Sequence, residues 1–476
     1  MPMMLRLVRR LRVALILAVL LLVALMPAVA SGYADLRHAE QLKRAGEVPL
    51  AAQYYEKAAM KLPWKTELWD SAASSYAIAG NWGKAMPLFD FEKRLGLLSS
   101  ESWVLYGIGY QVAGRSQAAL DTWIEGLKHY PMEPTFYYWI STEYRQRNDF
   151  AAEAQALSTW VTTGHPRAEH YYRLGQLLMA TGPDAARADL QRAASLDDAY
   201  APAADSLEAS LDLAALQPDR SSRLVVLGRG LGLVSEWPLA QDDFQQAAHA
   251  DPRNALAWAW LGEARQQNKL DGKASLDNAL AIDSTSALVH ALRGLYWRRQ
   301  AQYSAALAEY RSAAALDTGN AEWQAAVGDS YALTGDLVSA LASYQKATSL
   351  SPGQAVYWRR LAQFCADYGV QVEDVGLPAA RKAEQIAPND PQVLDTLGWT
   401  YAQAGLLYNA EQTLKRVIDL KPQQTILASA TLHLAETLLR KGDQAGALRE
   451  LQLARQIDPD GPAGTLAAQL IQQYFP

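Results

Sequence analysis

The sequence predicts an all-α fold made of repeated helical hairpins. Apolar residues recur at helical spacing along most of the chain, and short breaks, mostly at glycine, separate the helical stretches. Breaks fall 34 residues apart at Gly46, Gly80, Gly114, Asn148 and Gly182. The same step of 34 residues separates Ser235 from Lys269, Ala301 from Gly335 and Gly335 from Gly369. Such a period predicts a solenoid, in which each repeat buries its apolar stripe only against its neighbours.

The clearest repeat is the segment from Ala321 to Pro352, which serves as the reference repeat. Its first half carries Trp323 and Tyr331 on one helical face and stops at Thr334-Gly335-Asp336. Its second half carries an apolar stripe over residues 337–350 and stops at Ser351-Pro352. The two halves therefore predict two helices packed back to back, with Gly328 and Ala340 at their close approach.

This repeat resembles the tetratricopeptide repeat. The resemblance lies in Val327-Gly328-x-x-Tyr331, in Ala340-x-x-x-Tyr344 and in Pro352, together with the period of 34 residues. It implies a right-handed superhelical solenoid of stacked tetratricopeptide hairpins with a C-terminal capping helix. It also implies that a peptide, tail or partner domain binds on a concave surface lined by the first helix of each repeat.

Residues 1–30 have the plan of a secretory signal peptide. Four arginines precede an apolar run over residues 13–26, and Pro27 with Ala28-Val29-Ala30 follows. We expect cleavage after Ala30. The alternative is an uncleaved membrane anchor, because residues 13–30 reach the lower limit for a spanning helix. Both readings predict an extracytoplasmic protein, secreted, periplasmic or anchored, whose only membrane contact is the N-terminal segment.

Residues 31–198 form the predicted N-terminal block of five repeats. Two acidic residues in this block stand where the reference repeat has small ones. Glu92 takes the place of Ala347, and Glu153 takes the place of Ala340. A carboxylate in a tightly packed position predicts a local shift or looser packing at Glu153.

The 34-residue register fails over residues 199–220, which we predict to be an irregular helix and a seam. Residues 221–460 form the predicted C-terminal block of seven repeats, of which one has a lengthened turn over residues 370–378. Residues 461–476 are the predicted capping helix, whose glutamines face water. A seam between nearest-neighbour repeats should be the weakest point of the array.

Composition and coverage argue against several classes of function. The net charge of −6 offers no basic field for nucleic acid. Repeats, seam and cap account for the exported chain, so no stretch remains for a catalytic domain, and we expect no enzyme, no cofactor and no metal site. His165 and His170 lack a third ligand, and Gly228-x-Gly230-x-Gly232 follows no strand. The single cysteine, Cys365, is expected to be buried.

The resemblance implies a binding groove along the first helices. In the reference repeat its line runs through Ala325, Asp329 and Ala332. Carried to the other repeats, this line predicts a partner-binding groove at Tyr138, Arg145, Tyr172, Arg229, Arg298, Arg299, Arg359 and Trp399. Arginines with aromatic neighbours suit a carboxylate-bearing tail or an acidic glycan. Alternatively, these arginines pair with carboxylates on the same wall, at Asp70, Glu263, Asp329, Asp395 and Glu436.

Two functions without catalysis follow. The first is an exported or membrane-tethered scaffold that binds a protein or peptide partner in this groove. The second is a regulatory or substrate-presenting subunit of an envelope enzyme or of a polysaccharide or protein secretion system, in which another chain performs the chemistry. The resemblance fixes the fold more firmly than the partner.

Overall fold

The computed structural model describes residues 25–475, and they fold almost entirely into α-helices. The described residues form twelve helical hairpins, one additional helix after the fifth hairpin and one helix at the C-terminal end. This arrangement confirms the all-α repeat fold that the sequence predicts. Most of the predicted signal or anchor segment, residues 1–24, lies outside the described residues.

The described residues divide into two compact units, with the boundary between Ala215 and Leu216. The first unit contains α1 (residues 25–44), α2 (Val48–Lys61), α3 (Glu67–Ile78), α4 (Trp82–Leu95), α5 (Ser100–Val112), α6 (Ser116–His129), α7 (Thr135–Gln146), α8 (Phe150–Thr163), α9 (Ala168–Leu178), α10 (Pro183–Leu196) and α11 (Ala201–Ala215). Each odd-numbered helix from α1 to α9 is the first helix of a hairpin, and the following helix is its second.

The second unit begins with α12 (Arg220–Leu233), α13 (Trp237–Ala250), α14 (Ala255–Gln267), α15 (Lys273–Ile282), α16 (Ala287–Arg299), α17 (Tyr303–Leu316), α18 (Ala321–Thr334) and α19 (Leu337–Leu350). It continues with α20 (Ala355–Tyr368), a π-helical turn (Val372–Gly376), α21 (Leu377–Ile386), α22 (Pro391–Gln403), α23 (Leu407–Asp419), α24 (Gln424–Lys441), α25 (Gln444–Ile457) and α26 (Pro462–Tyr474). In the second unit the even-numbered helices from α12 to α24 are the first helices of the hairpins. The π-helical turn lies within the lengthened turn of residues 370–378.

Close approach between the two helices of a hairpin depends on small residues, as the sequence predicts. A Cβ atom on Gly328 would lie 3.1 Å from the ring of Tyr344, and Ala340 is fully buried beside it. In the third hairpin a Cβ atom on Gly107 would lie 2.0 Å from Nε1 of Trp123, which is closer than any side chain tolerates. These glycines therefore let the bulky ring of the second helix reach the first helix.

The first described helix continues into the first repeat without a break. Residues 25–44 are helical through Ala30, the predicted cleavage point, and Val29 packs against the core that contains Ala39 and Tyr55. Among residues 25–475, no helix combines the length and the apolar character that crossing a membrane requires.

The boundary between the two units falls inside the predicted seam, next to the C-terminal end of α11. We expect residues 31–215 and residues 216–476, produced separately, each to fold and to melt in one cooperative transition, because repeats are stabilised mainly by their nearest neighbours. Circular dichroism melting of the two fragments checks this prediction. If both fragments are unfolded, the seam is an ordinary repeat interface.

Candidate partner-binding site

The first helices of successive hairpins contact one another and form one surface in each unit, which we call the first-helix wall. In the first unit α3 contacts α5 and α5 contacts α7. In the second unit the contacts run from α12 to α14, from α14 to α16, and from α18 through α20 and α22 to α24. Side chains on this wall come from helices distant in the sequence, and the fold brings them side by side.

The first-helix wall of the first unit contains a cleft of about 290 Å³ between α7, α8 and α9. Its lining consists of Tyr138, Ser141, Thr142, Arg145, Glu153, Leu157, Glu169, His170 and Arg173. Two predicted groove residues, Tyr138 and Arg145, therefore line one cleft. Another predicted groove residue, Tyr172, does not line the cleft, and its ring centre lies 4.9 Å from that of Tyr200.

A buried ion pair lies at the base of this cleft. Nε and Nη2 of Arg173 donate to the two carboxylate oxygens of Glu153 at 2.7 and 2.9 Å. The Glu153 side chain is 2 % exposed and that of Arg173 is 8 % exposed. Glu153 occupies the position that is alanine in the reference repeat, so the predicted looser packing takes the form of a charged pair beside a cavity. The partner of Glu153 comes from the next repeat.

His170 is held in one orientation at the side of the cleft. Its Nδ1 accepts a hydrogen bond from the backbone N–H of Arg167 at 2.9 Å. Burial lowers the pKa of His170, although Glu169 acts in the opposite direction. At neutral pH the imidazole is therefore neutral with its proton on Nε2, which lies 3.8 Å from a carboxylate oxygen of Glu169. Nε2–H is a hydrogen-bond donor for a ligand in the cleft.

Aromatic rings border the same cleft. The ring of Tyr138 lies 6.0 Å from those of both Trp160 and His170. Three buried polar atoms on α7, α8 and α9 have no hydrogen-bond partner within residues 25–475. They are Oε2 of Glu143, Nε1 of Trp160 and Nε2 of Gln176. Unpaired buried polar groups are uncommon because each lacks the hydrogen bonds that water supplied in the unfolded chain.

The cleft offers hydrogen-bond donors, hydrogen-bond acceptors and aromatic rings, and its positive and negative charges are equal in number. The charges of Arg145 and Arg173 are matched by those of Glu153 and Glu169, and neutral His170 adds no charge. Backbone amides and amide side chains of a peptide combine a donor with an acceptor, so they fit such a lining. This mixed character is not visible in the sequence, because the lining comes from three helices and two repeats.

On the first-helix wall of the second unit, two of the predicted arginines pair with carboxylates of neighbouring repeats. Arg299 donates two hydrogen bonds to Glu263 at 2.6 and 2.8 Å. Arg298 lies 3.7 Å from Asp329. Asp329 also accepts from Arg360 and, at 2.5 Å, from the hydroxyl of Tyr344. These contacts match the alternative drawn from the sequence, in which the arginines pair with carboxylates on the same wall.

Two other predicted arginines make no ion pair with residues 25–475. Arg229 lies over the ring of Trp260, with the guanidinium carbon 5.3 Å from the ring centre. Arg359 is half-buried, and burial together with the neighbouring charge of Arg360 lowers its pKa, although more distant carboxylates, Asp390 first among them, act in the opposite direction. The guanidinium of Arg359 is therefore the more desolvated of the two, and a bound anion would stabilise its charge.

Trp399, the last of the predicted groove residues, is buried. The residue is 8 % exposed, its ring stacks 4.5 Å from that of His433, and its Nε1–H donates to Asp367 at 2.9 Å. The predicted line through Ala325 and Ala332 is also covered, because neighbouring first helices pack against these residues. The spacing in the sequence did not distinguish residues in the gaps between first helices from residues on the open wall.

His433 belongs to a polar cluster around Trp399. Its Nδ1 lies 2.8 Å from Oδ1 of Asp395, whose other oxygen accepts from Ser429 at 2.8 Å. Burial alone would lower the pKa of His433, but the adjacent Asp395 carboxylate raises it overall. Asp395 is thus another predicted wall carboxylate with a partner from the next repeat.

Stacked helical hairpins with an exposed first-helix wall define a class of α-helical repeat scaffolds. Family models of the tetratricopeptide repeat match residues 227–287, 292–355 and 391–424. The chain is a tetratricopeptide repeat protein, in agreement with the resemblance seen in the sequence.

Several solved structures are similar to the chain. The hetero-tetramer Cut9-Hcn1 of the APC/C matches with a TM-score of 0.41 and 15 % identity, over 92 % of this chain and 89 % of that one. Yeast Tom70 matches with a TM-score of 0.41 and 14 % identity, over 93 % and 95 %. PilF of Pseudomonas aeruginosa matches with a TM-score of 0.37 and 20 % identity, over 47 % and 99 %. No curated protein sequence matches the chain.

Proposed function

We propose that the protein is an exported or membrane-tethered scaffold that binds a protein or peptide partner along its first-helix wall. The observation that carries this proposal is the polar cleft between α7, α8 and α9, with its buried Glu153–Arg173 pair. Buried charges and unpaired polar atoms stabilise a fold less than apolar side chains of similar size would, so their presence here points to a role other than stability. Binding of a partner peptide in the cleft is that role.

The partner enters the cleft with an uncharged polar segment. The lining carries equal numbers of positive and negative side chains, so a charged group would meet repulsion from one set of them. A backbone amide or an amide side chain finds a donor at His170 Nε2 and acceptors among the carboxylates. The exposed ring of Tyr138 covers the apolar part of the same segment.

An acidic group of the partner binds separately, at Arg359 in the second unit. Arg298 and Arg299 already have carboxylate partners, whereas the half-buried Arg359 has no ion pair with residues 25–475. A partner carboxylate there gains a charge-assisted hydrogen bond in a partly desolvated position. Arg229 also makes no ion pair, but it is exposed and lies over the ring of Trp260. We therefore assign the acidic group to Arg359 among the five predicted groove arginines.

Export rests on the sequence of residues 1–30 alone. N-terminal sequencing of the protein from its native cell distinguishes the two forms: a first residue of Ser31 indicates a cleaved, released scaffold, and Met1 indicates a tethered one. Either form presents the first-helix wall outside the cytoplasm.

Partner capture by arginine variants tests the proposed function. The immobilised full chain is incubated with detergent-solubilised native membranes, and the protein that it retains is identified and quantified. Arg359→Ala is expected to lower the affinity for that partner about tenfold or more, because it removes one charge-assisted hydrogen bond.

Two further arginine variants serve as controls. Arg311→Ala changes an exposed arginine on the second helix α17 and should leave capture unchanged. Arg299→Ala should lower stability by about 1–3 kcal/mol, because Glu263 remains buried without its partner, and it should affect capture less than Arg359→Ala. Equal capture by the wild type and the Arg359 variant would contradict the assignment of the acidic group.

A further inference from the structure

Loops that join one hairpin to the next lie together at one end of the helices in the first unit. We call this end the inter-repeat edge, and it comprises residues 60–66, 93–99 and 128–134. Hydrogen bonds join the third loop to the second and the second loop to α3, which directly follows the first loop. The hydroxyl of Tyr130 donates to the carbonyl oxygen of Leu98 at 2.7 Å, and the hydroxyl of Ser99 donates to Asp70, near the start of α3, at 3.2 Å. The loops therefore form one continuous strip.

Large apolar side chains project into solvent along this edge. Met60, in the last turn of α2, is 61 % exposed, and Trp64 in the loop after it is 57 % exposed. Leu95, the last residue of α4, is 53 % exposed, and Met132 in the loop after α6 is 89 % exposed. Single exposed apolar residues are common on protein surfaces, but a row of them along one edge marks an interaction site.

Basic side chains alternate with these apolar ones. Arg94 and Lys128 are exposed and make no ion pair with residues 25–475. Lys65 lies 3.4 Å from exposed Glu67 and over the ring of Tyr33. In the second unit five of the seven corresponding loops carry an aspartate, at Asp251, Asp283, Asp317, Asp390 and Asp458, whereas the loop after α23 has exposed Leu420 beside Lys421. The combination of apolar and basic residues is therefore concentrated in the first unit.

The part of α1 around Ser31 lies at the same edge, because it contacts the end of α2. Nζ of Lys61 donates to Ser31 at 2.8 Å and to Asp35 at 2.6 Å, which fastens the first loop to α1. Leu25 and Met26, at the beginning of the described helix, are exposed. They belong to the apolar run of residues 13–30, so the chain reaches this edge directly from its most hydrophobic segment.

We infer that the inter-repeat edge of the first unit rests on the surface of an anionic lipid bilayer. Tryptophan and methionine enter the interfacial region of a bilayer, while lysine and arginine reach its acidic headgroups. Each cation near an anionic surface strengthens binding, and several together with apolar contacts give stable attachment. This contact is separate from the N-terminal segment, and it leaves the first-helix wall free.

Fluorescent labels at the two ends of the helices test this inference. Cys365 is buried, so a single introduced cysteine can be labelled with the environment-sensitive dye NBD. Met132→Cys places the label on the inter-repeat edge, and Arg115→Cys places it on the turn at the opposite end of the helices. Each labelled full-length protein is mixed with vesicles of equal parts phosphatidylcholine and phosphatidylglycerol, or of phosphatidylcholine alone.

On the mixed vesicles the label at position 132 should brighten about threefold and shift to the blue, while the label at position 115 stays in water. Changing Lys65, Arg94 and Lys128 to glutamine should weaken the binding of the protein to the mixed vesicles roughly a hundredfold, as measured with the label at position 132. The inference is overturned if position 132 does not respond, if position 115 responds equally, or if the response persists unchanged on phosphatidylcholine alone or in the glutamine variant.

Discussion

Replacing Glu92 by methionine is expected to stabilise the first unit and to remove a pH dependence that the wild type shows. Glu92 is fully buried on α4, and neither of its carboxylate oxygens has a hydrogen-bond partner within residues 25–475. Burial, and then the nearby Asp70, raise the pKa of Glu92 from its ordinary 4.5 to about 8. Methionine fills a similar volume without a polar group.

The sign of the pH dependence follows from proton binding. Between the unfolded pKa of 4.5 and the folded pKa of about 8, the folded chain keeps the proton on Glu92 and the unfolded chain releases it. The free energy of unfolding therefore falls as pH rises through this window. At about 1.4 kcal/mol for each pH unit, the loss is roughly 3–5 kcal/mol by pH 8.

Hydrogen exchange of α3 and α4 measures this effect where it arises. Protection of these helices in the wild type should fall from pH 5 to pH 8, after correction for the intrinsic exchange rate, and Glu92→Met should hold it constant. Helices α18 and α19, whose equivalent residue is Ala347, are the control within the same chain. Glu92→Gln should also lose the pH dependence, with less added stability because its amide stays unpaired. An unchanged pH profile in both variants would contradict the assignment to Glu92.

Breaking the Glu153–Arg173 pair is expected to destabilise the first unit strongly when only one partner is removed. Glu153→Ala leaves a buried guanidinium, and Arg173→Met leaves a buried carboxylate. Each single change should lower the free energy of unfolding of the first unit by about 3–5 kcal/mol. The double change, Glu153→Leu with Arg173→Met, should come within about 2 kcal/mol of the wild type, because apolar groups of similar size replace the pair.

Urea unfolding of the full chain, with hydrogen exchange to locate the loss on α7 to α10, measures these differences. The double variant separates stability from binding, since it folds but lacks the charged base of the cleft. We expect it to capture the partner at least about tenfold more weakly than the wild type. Single variants as stable as the wild type would contradict the burial of the pair, and full capture by the double variant would separate the cleft from partner binding.

The turn positions were predictable from the sequence because their period depends on local geometry. At four positions of the 34-residue ruler that lack glycine, namely Asn148, Ser235, Lys269 and Ala301, the backbone has a positive φ of 55 to 64°. Gly182 is the exception, with a φ of −151°. Pro183 follows it as the first residue of α10 and disfavours a helical conformation at Gly182.

The chemistry of the candidate site was less predictable, because it depends on contacts between repeats. Glu153 stood out in the sequence as an acidic residue in a small position, but its partner Arg173 lies 20 residues away on the next first helix. Trp399 occupied the predicted line, and a stacked histidine from the following repeat covers it. Register identifies the face of a helix, whereas burial on that face depends on how neighbouring helices fill the space between them.

Site-specific crosslinking in the native cell tests partner binding on the first-helix wall most directly. A photo-reactive phenylalanine analogue is introduced at position 138 in the cleft, or at position 155, which is exposed on the second helix α8 of the same hairpin. Irradiation should attach a partner protein at position 138 and not at position 155. An adduct at position 155 alone, or no adduct at position 138 in cells where the immobilised chain captures a partner, would contradict binding on the first-helix wall.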